Sequence, residues 1–441
     1  MGFNPHLGYF SDDFKAALDD LPEQQHELVK RQLGQILADL SGQPNAAGAP
    51  ATGLGILDGF GLLSDLSDVT WPLDVWYRFP FVPPGPGDQR GPCIGLNAMA
   101  NHNLFPHTGI ASLFELLSAA QVLGFGLDTA LSIAVPAVIF GGDPITLTMS
   151  IGGPDDRIGP VLGGLGGLLS SPQGLENTHG IAEADSSSTR DDLYDTGDCS
   201  SLNVERFIKL WSLVPPGERF DLSVYGYWAA YRFHESIHIS PNFWFGPTTG
   251  LLARNAGYGI PPCCLANQTG RYPDGELTHE ILESFYAITH YPAPFTHIPG
   301  WERIPANWYG LRSIGSSWPL VQVIADVLGF CASYNELCSV GGNIAGVDTF
   351  AGIRLDDPAS GVANLGHLFE GTNLLCFTLQ LVKTAAPTWA GNLFATLFEL
   401  IGTTVSTVGC PEIPDLTRGG VPLLESFKRD YPGAARAGYG L

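Results

Sequence analysis

The chain has 441 residues, enough for one large domain or two packed lobes around a sizeable core. Lys plus Arg number 21 against 44 Asp plus Glu, a net charge of −23, which argues against nucleic acid and anionic membrane surfaces as partners. Hydrophobic residues make up 44% and aromatic residues 11%, ample apolar material for a deep ligand pocket.

The first residues, MGFNPHLGYFSDDFKAALDDLPEQQ, show no basic region followed by an apolar run. The expected location is therefore outside the cell if a leader has been removed, and inside it otherwise. No uninterrupted apolar window of ~18 residues is present, so no membrane partner is expected. The nearest, Leu123 to Phe140, contains Asp128 and Pro136 and reads as a buried helix followed by a strand.

In chain order, Asp12 to Leu40 reads as a helix with Phe14, Leu18, Leu28, Val29, Leu33 and Ile36 on one face. Ser41 to Gly61, rich in Gly, Ala and Pro, reads as a linker. Pro83 to Gly109, PPGPGDQRGPCIGLNAMANHNLFPHTG, begins with residues that forbid regular structure, so the chain reaches Cys93 as a shaped loop. Cys93 then opens a helix whose Ile94, Leu96, Met99 and Ala100 form an apolar stripe. Ile110 to Phe125 is expected to be helical, and Phe140 to Gly153 a strand pair around a Gly-Asp turn. The glycine-rich run 162–169 lacks the pattern of a phosphate cradle and reads as a flexible loop. Further helices are expected over 203–213, 222–239, 277–289, 318–331 and 374–408. No repeat of 20 to 50 residues is evident. The class is mainly α.

A cysteine at a helix start faces unpaired N–H groups and the positive end of the helix dipole, which favours a thiolate. Three roles for Cys93 follow from this setting: a buried structural cysteine, a nucleophile partnered by His102 and Asn97, or an axial thiolate to heme iron. Further on, HGIAEADSSSTR, His179 to Arg190, places Glu183 and Asp185 before three serines. This is either an acidic surface loop or the oxygen-rich ligand set that Mg2+ or Ca2+ prefers.

The pattern G-D-x-R-G-P-C-x-x-x-N-x-x-A-N-H-x-x-x-P-x-x-G, at Gly87, Asp88, Arg90, Gly91, Pro92, Cys93, Asn97, Ala100, Asn101, His102, Pro106 and Gly109, resembles the proximal signature of the fungal heme-thiolate peroxidases. That family comprises chloroperoxidases and unspecific peroxygenases. One departure is Ile94, where the family usually has a second proline. Ser150, Ile151, Gly152 and Gly153 match the family's S-I-G-G after a small β-hairpin.

The resemblance implies a single heme-thiolate peroxidase-type helical domain with one small β-hairpin over residues 71–412. An N-terminal extension with its linker would occupy 1–70 and a C-terminal tail 413–441. It implies heme b bound through Cys93, with Pro92, Asn97, Ala182 and Tyr258 as cofactor contacts. It also implies Mg2+ held by Glu183, the carbonyl of Ala184, and Ser187. Ala184 stands where shorter members have His and longer ones Gly, which places the chain nearer the long branch. Ala182 falls where long members often carry a pocket phenylalanine.

Heterolytic peroxide cleavage needs a positioned acid-base group. The long peroxygenases supply it with a glutamate oriented by an arginine, in a segment preceded by sequence similar to Arg232–Pro247. In register, the arginine position holds Thr248 and the glutamate position Asn255, neither of which titrates. Arg254 and His238 are the neighbouring substitutes, and Phe243, Phe245, Leu251 and Leu252 are candidate pocket lining. The resemblance thus implies either peroxide-driven oxidation or oxygenation of a hydrophobic substrate in natural-product biosynthesis, or a scaffold of impaired peroxide use. The latter would catalyse a cyclisation, rearrangement or dehydration, or bind heme without turnover. Cys376 and Cys410 resemble the family's C-terminal disulfide, whereas Cys263 and Cys264 are adjacent and expected to have separate partners or to be free. Nothing in the sequence sets an oligomeric state.

Overall fold

The computed structural model describes residues 79–143, 146–158, 173–180, 183–267, 275–291, 294–306, 308, 318–354, 417–418 and 420–437, and the structural statements below concern these. The expected helices at 12–40 and 374–408, the 41–61 linker, the 162–169 run, Ala182 and the Cys376/Cys410 pair lie outside them.

The proximal loop leads into α1 (Ile94–Asn101), with Cys93 as its N-cap. The next segment departs from the expected continuous helix. Ile110–Ser112 forms strand β1, and α2 (Leu113–Val122) starts only after it. The cause is a capping box: Ser112 Oγ accepts from the Glu115 amide at 3.3 Å, and Glu115 Oε2 accepts from the Ser112 amide at 2.7 Å. Helix α3 (Leu127–Gly141) then runs through Pro136. Its expected terminal strand is helical because the segment is apolar all round and carries no periodicity to separate the two.

The small hairpin expected over 140–153 is reduced to the isolated antiparallel bridge Asp143↔Thr148 among the described residues. Strand β2 (Thr148–Ser150) pairs antiparallel with β1, in the register Ile110↔Ser150 and Ser112↔Thr148. This pairing carries the S-I-G-G block to the proximal loop. A Cβ on Gly91 would lie 2.0 Å from the Ile151 carbonyl oxygen, and one on Gly152 would lie 2.8 Å from the Arg90 carbonyl oxygen. The two stretches are glycine at these points because their backbones touch.

Short α4 (Leu193–Thr196) precedes α5 (Val204–Trp211) and the long α6 (Leu222–Ile239). Asn203 and Asp221 cap the last two by accepting from the Arg206, Ser223 and Val224 amides. After β3 (Trp244–Phe245), residues 249–265 make one helical rod: a π turn Thr249–Arg254, α7 (Asn255–Ile260), and a second π turn Pro261–Leu265. Helix α8 (His279–Phe285) is shorter than expected and gives way to β4 (Ile288–Thr289), which pairs with β5 (Thr296–His297).

Helix α9 (Leu320–Ser333) leads through a 3-10 turn to β6 (Ser339–Asn343) and β7 (Phe350–Arg354). With β3 these strands form an antiparallel sheet of order β3-β6-β7. A disulfide joins Cys331 and Cys338 across the turn, with Cα atoms 5.2 Å apart. Strands β8 (Thr417–Arg418) and β9 (Val421–Pro422) precede α10 (Leu423–Asp430) and α11 (Pro432–Ala437). These last residues pack into the core rather than trailing from it. Leu423, Leu424, Phe427 and Ala434 are buried, and Trp244 meets Phe427 and Tyr431 at 5.4 and 5.0 Å between ring centroids. The molecule is mainly α-helical with small sheets, as the sequence implies. No described helix is long and apolar enough to cross a membrane.

Two predictions follow from this packing. Gly91→Ala should cost about 3 kcal/mol in thermal or denaturant unfolding, since its Cβ would strike backbone. Gly257→Ala, in α7 with nothing near the added carbon, should stabilise by up to ~1 kcal/mol. Burial, with the charge of Arg190 adding to it, pulls His297 down to about 4. The folded state thus refuses a proton that the unfolded chain accepts below about 6.5. His297 contributes stability at neutral pH that is lost as pH falls from about 6.5 towards 4. A His297→Gln variant should show a shallower drop in melting temperature across that window than the parent.

Candidate active site

Cys93 is half-buried at the first turn of α1, makes no capping hydrogen bond and belongs to no disulfide, so its sulfur is left for a group outside the chain. Burial pushes the thiol pKa up. The Leu96 and Gly95 amides and the Arg190 guanidinium pull it down, without cancelling the cost of leaving water. The helix start thus favours the thiolate, as expected, but in the free chain desolvation wins.

The polar residues of the signature hold this loop in shape. Asn97 closes on Gly91 in both senses, donating to its carbonyl at 2.8 Å and accepting from its amide at 3.1 Å. Arg90 donates to Asn101 Oδ1 at 2.6 and 3.0 Å and to the carbonyls of Gln89 and His107. Asn101 in turn donates to the carbonyls of Gly300 and Glu302. His102 Nε2 accepts from the Ile304 amide, so the ring proton sits on Nδ1 and is donated to the Phe79 carbonyl. His102 is therefore a structural strut and does not pair with Cys93 as a nucleophile's base. Pro92 contributes its carbonyl, which accepts from Arg190 Nη2 at 3.2 Å and joins the Cys93 loop to the second chemical stretch.

That stretch is organised by its carbonyls. The Ser186 carbonyl accepts from Arg254 Nε and Nη2 at 3.1 and 3.0 Å and from the Tyr258 hydroxyl at 2.7 Å. The Ser187 carbonyl accepts from Arg232 Nε at 3.0 Å, and that of Ser188 from Trp228 Nε1 at 3.0 Å. The Arg190 carbonyl takes Arg232 Nη2 and Arg206 Nη1. Helix α6 and the 249–265 rod thus hold the loop from behind, and Ser186 is kept at φ 58°, unusual for a residue with a side chain. The side chains are left over. Glu183 Oε1, Asp185 Oδ1, Ser186 Oγ and Ser187 Oγ are buried and have no hydrogen-bond partner among the described residues.

Such orphaned oxygens fit a hard cation. Asp185 takes the Trp244 amide at 2.9 Å, and burial, with the Asp192 charge behind it, pushes its pKa well up. Burial pulls His179 down, but the hydrogen bond to Glu183 at 2.5 Å and the charge of Asp185 outweigh it and raise the imidazole to about 9.

Of the distal candidates, Arg254 is fully committed: besides Ser186 it donates to the Ala229 carbonyl and to Asn255 Oδ1, and its guanidinium lies 4.3 Å from the Tyr258 ring centroid. Burial pulls it down to about 10, which leaves it protonated at neutral pH. Asn255 is completely buried and donates to the Leu337 carbonyl at 3.0 Å. Thr248 Oγ1 is buried without a hydrogen-bond partner among the described residues. His238 does not join them. Its side chain is 65% exposed on the last turn of α6 and pairs with Asp348, because that turn faces solvent.

Phe243, Phe245 and Leu251 are fully buried, with Phe233 at 5.2 and 5.0 Å from the two phenylalanine rings, while Leu252 is half-buried. A cavity of about 420 Å3, lined by Arg219, Asp221, Cys263, Trp318 and Asp326 among others, lies elsewhere and includes none of the site residues.

Residues 79–312 match the family model described as "Peroxidase, family 2". The chain is 38% identical over 375 residues to the aromatic peroxidase fscJ of Fusarium equiseti, covering 82% of this chain and 85% of that protein. The chain belongs to peroxidase family 2. It is also 33% identical to the dothistromin biosynthesis peroxidase dotB of Dothistroma septosporum, over 79% of this chain and 84% of the other. An aromatic peroxygenase of Cyclocybe aegerita is 32% identical over 55% of this chain and 62% of that one. The protein is a peroxidase-like enzyme, and its family implies a heme cofactor, as the resemblance of the Cys93 stretch suggested.

The peroxidase holds three site features that sequence reasoning missed. Arg190 bridges the two chemical stretches, and Glu302 is a buried carboxyl with Oε2 unpartnered among the described residues. Glu302's pKa is raised by burial. His179 leans on Glu183 across four residues, a spacing readable from H-x-x-x-E. Because the carbonyl bonds set the loop, Tyr258→Phe should cost about 1 to 1.5 kcal/mol. Arg254→Gln should cost about 3 kcal/mol or more, by leaving buried carbonyls unpaired. Both are measured by denaturant unfolding, and equal costs for the two would contradict the account.

Proposed function

We propose that the enzyme is a heme-thiolate oxidoreductase that uses hydrogen peroxide to oxidise or oxygenate a hydrophobic organic substrate in fungal natural-product biosynthesis. The observation that carries this is Cys93: a thiol on a helix N-cap, unbonded within the chain and locked in place by Asn97, Arg90 and Asn101. Heme b, held through Cys93, would supply iron chemistry for peroxide O–O cleavage, which a thiolate ligand favours. Pro92 and Asn97 set the sulfur's position through the loop backbone. Glu183, the Ala184 carbonyl and Ser187 would hold Mg2+, consistent with the unpartnered Glu183 Oε1 and Ser187 Oγ. Tyr258 acts from behind by fixing Ser186. The names of the relatives, aromatic peroxidase and dothistromin biosynthesis peroxidase, support an aromatic substrate made in a biosynthetic pathway.

Proton movement is where this chain differs from the long peroxygenases it resembles. Thr248 offers a hydroxyl that can donate and accept a hydrogen bond to a bound peroxide but cannot store a charge. Asn255 and Arg254 are occupied in the scaffold. That commitment favours a second reading, in which the same heme-thiolate scaffold uses peroxide poorly and guides a cyclisation, rearrangement or dehydration.

The test is spectroscopic and kinetic. The reduced carbon monoxide complex of the parent should show the long-wavelength Soret band of thiolate ligation, and Cys93→Ser should lose both that band and peroxide-dependent turnover. Retention of both in the variant would sink the assignment of Cys93. Thiolate ligation combined with a parent that bleaches in hydrogen peroxide without oxidising aromatic substrates would select the second reading.

A further inference from the structure

We propose that Trp211 is a second oxidation site, at the protein surface, where bulky phenols lose single electrons to the enzyme without entering its buried interior. The inference rests on the reading above, since hydrogen peroxide reduced on the Cys93 side supplies the oxidising equivalents. Helix α5 carries Phe207 and, one turn on, Trp211. With two further rings they form a continuous row. Tyr286, the C-cap of α8, meets Phe207 at 5.2 Å between ring centroids, Phe207 meets Phe295 at 6.3 Å, and Phe295 meets Trp211 at 5.2 Å, all within the range of direct ring contact.

The row has an inner and an outer end. Tyr286 is 4% exposed, its hydroxyl meets the Thr189 and Ser188 side chains, and the charges of Arg190 and Cys93 reach it. Arg190 in turn holds the Pro92 carbonyl beside Cys93. Trp211 is only half-buried, so part of its surface is open to solvent.

Ring packing alone would be ordinary core. What sets Trp211 apart is its indole nitrogen, which donates to Glu283 Oε1 at 2.7 Å. An indole that loses an electron becomes a strong acid, and a carboxylate already bonded to its N–H takes the proton and keeps the site neutral. The His279 and His290 rings flank the indole at 4.4 and 5.4 Å and hold its plane. Phe207 and Phe295 have no proton to release and no accessible oxidised state, so they bridge Tyr286 and Trp211 without being oxidised themselves. At Trp211 the indole gives one electron inward along the row and its N–H proton to Glu283. A phenol at the surface then gives one electron to the indole radical, the proton returns from Glu283 to the nitrogen, and the phenol's own proton goes to solvent. Two phenols become phenoxyl radicals for each hydrogen peroxide reduced to two waters.

The experiment uses the full-length, heme-loaded protein with hydrogen peroxide and two probes, free guaiacol and guaiacol grafted to soluble dextran, which stays outside the molecule. Trp211→Phe, which keeps the ring contacts, should slow oxidation of the grafted phenol at least ~10-fold. It should retain most of the turnover of free guaiacol and leave the Soret band of the reduced carbon monoxide complex unchanged. Given peroxide alone and freeze-quenched, the parent should show a tryptophan radical by electron paramagnetic resonance that Trp211→Phe removes. Glu283→Gln, a second variant that keeps the hydrogen-bond acceptor but not the base, should slow the grafted phenol in the same way. A grafted phenol that is not oxidised, or is oxidised equally by the parent and both variants, overturns the inference. So does a radical that survives Trp211→Phe and disappears in Trp301→Phe, since Trp301, 41% exposed and 5.8 Å from the Phe81 ring, is the rival exit. In each of these cases a parent with the thiolate band and turnover of free guaiacol leaves the Cys93 reading standing. A parent with neither defeats both.

Discussion

The structure depends on a set of backbone carbonyls being bound from one side. Between Ser186 and Arg190, four carbonyl oxygens accept from Arg206, Arg232, Arg254, Trp228 and Tyr258, all on α5, α6 or the 249–265 rod. A loop that met its own backbone needs through a helix or sheet would have no reason to hold Ser186 in the left-handed region. Here guanidinium groups, which carry donors in a rigid fork and stay charged when buried, replace that secondary structure.

The consequence is a separation of labour within one short segment. Main-chain oxygens are consumed by the scaffold, so Glu183 Oε1 and Ser187 Oγ remain over, buried and without hydrogen-bond partners among the described residues. Buried polar atoms left in this state cost free energy, roughly 1 to 3 kcal/mol each, unless a ligand satisfies them. The arginine charges are balanced locally: Arg232 by Asp192 and Glu235, Arg206 by Asp191 and Glu235. Arg254 has no carboxylate within ion-pair distance among the described residues and relies on carbonyl dipoles and the Tyr258 ring. Arg190 then couples this segment to the Pro92 carbonyl, next to Cys93, so the two chemical stretches are mechanically one unit.

Much of this was legible in the sequence where a residue type has one dominant use. Gly91 and the S-I-G-G block announced themselves by pattern, and the structure supplies the reason, contact of two backbones. The bounds of α6 agree with the expected 222–239, and Asp221 caps its start in the structure. What could not be read is what pairs distant residues. Strand β1 is three residues long and recognisable only by its partner 38 positions on. The capping box at Ser112 and Glu115 was a local signal that would have trimmed the preceding helix. Helix α3 was ambiguous because a segment so rich in apolar residues carries no clear period. Arg232 of α6 looked like an ordinary charged residue and Arg254 of the rod like a substitute for the distal arginine, since a guanidinium's carbonyl partners leave no trace in sequence. His238 was attractive for its pKa class, but which face of α6 it occupies is fixed by Asp348 and solvent.

In the register that the resemblance gives, Asn255 stands at the position of the long peroxygenases' glutamate, and the structure shows what its amide does there. Its amide does two opposite things at once, accepting from Arg254 Nη1 at 2.9 Å and donating to the Leu337 carbonyl at 3.0 Å. A glutamate there could take the first bond, but as an anion it has no proton for the second and would set two acceptors against each other. The asparagine thus ties the rod to the 3-10 turn that ends at Cys338, and through Arg254 to the Ser186 carbonyl. An amide at this point serves as a structural bond that a carboxylate could not make.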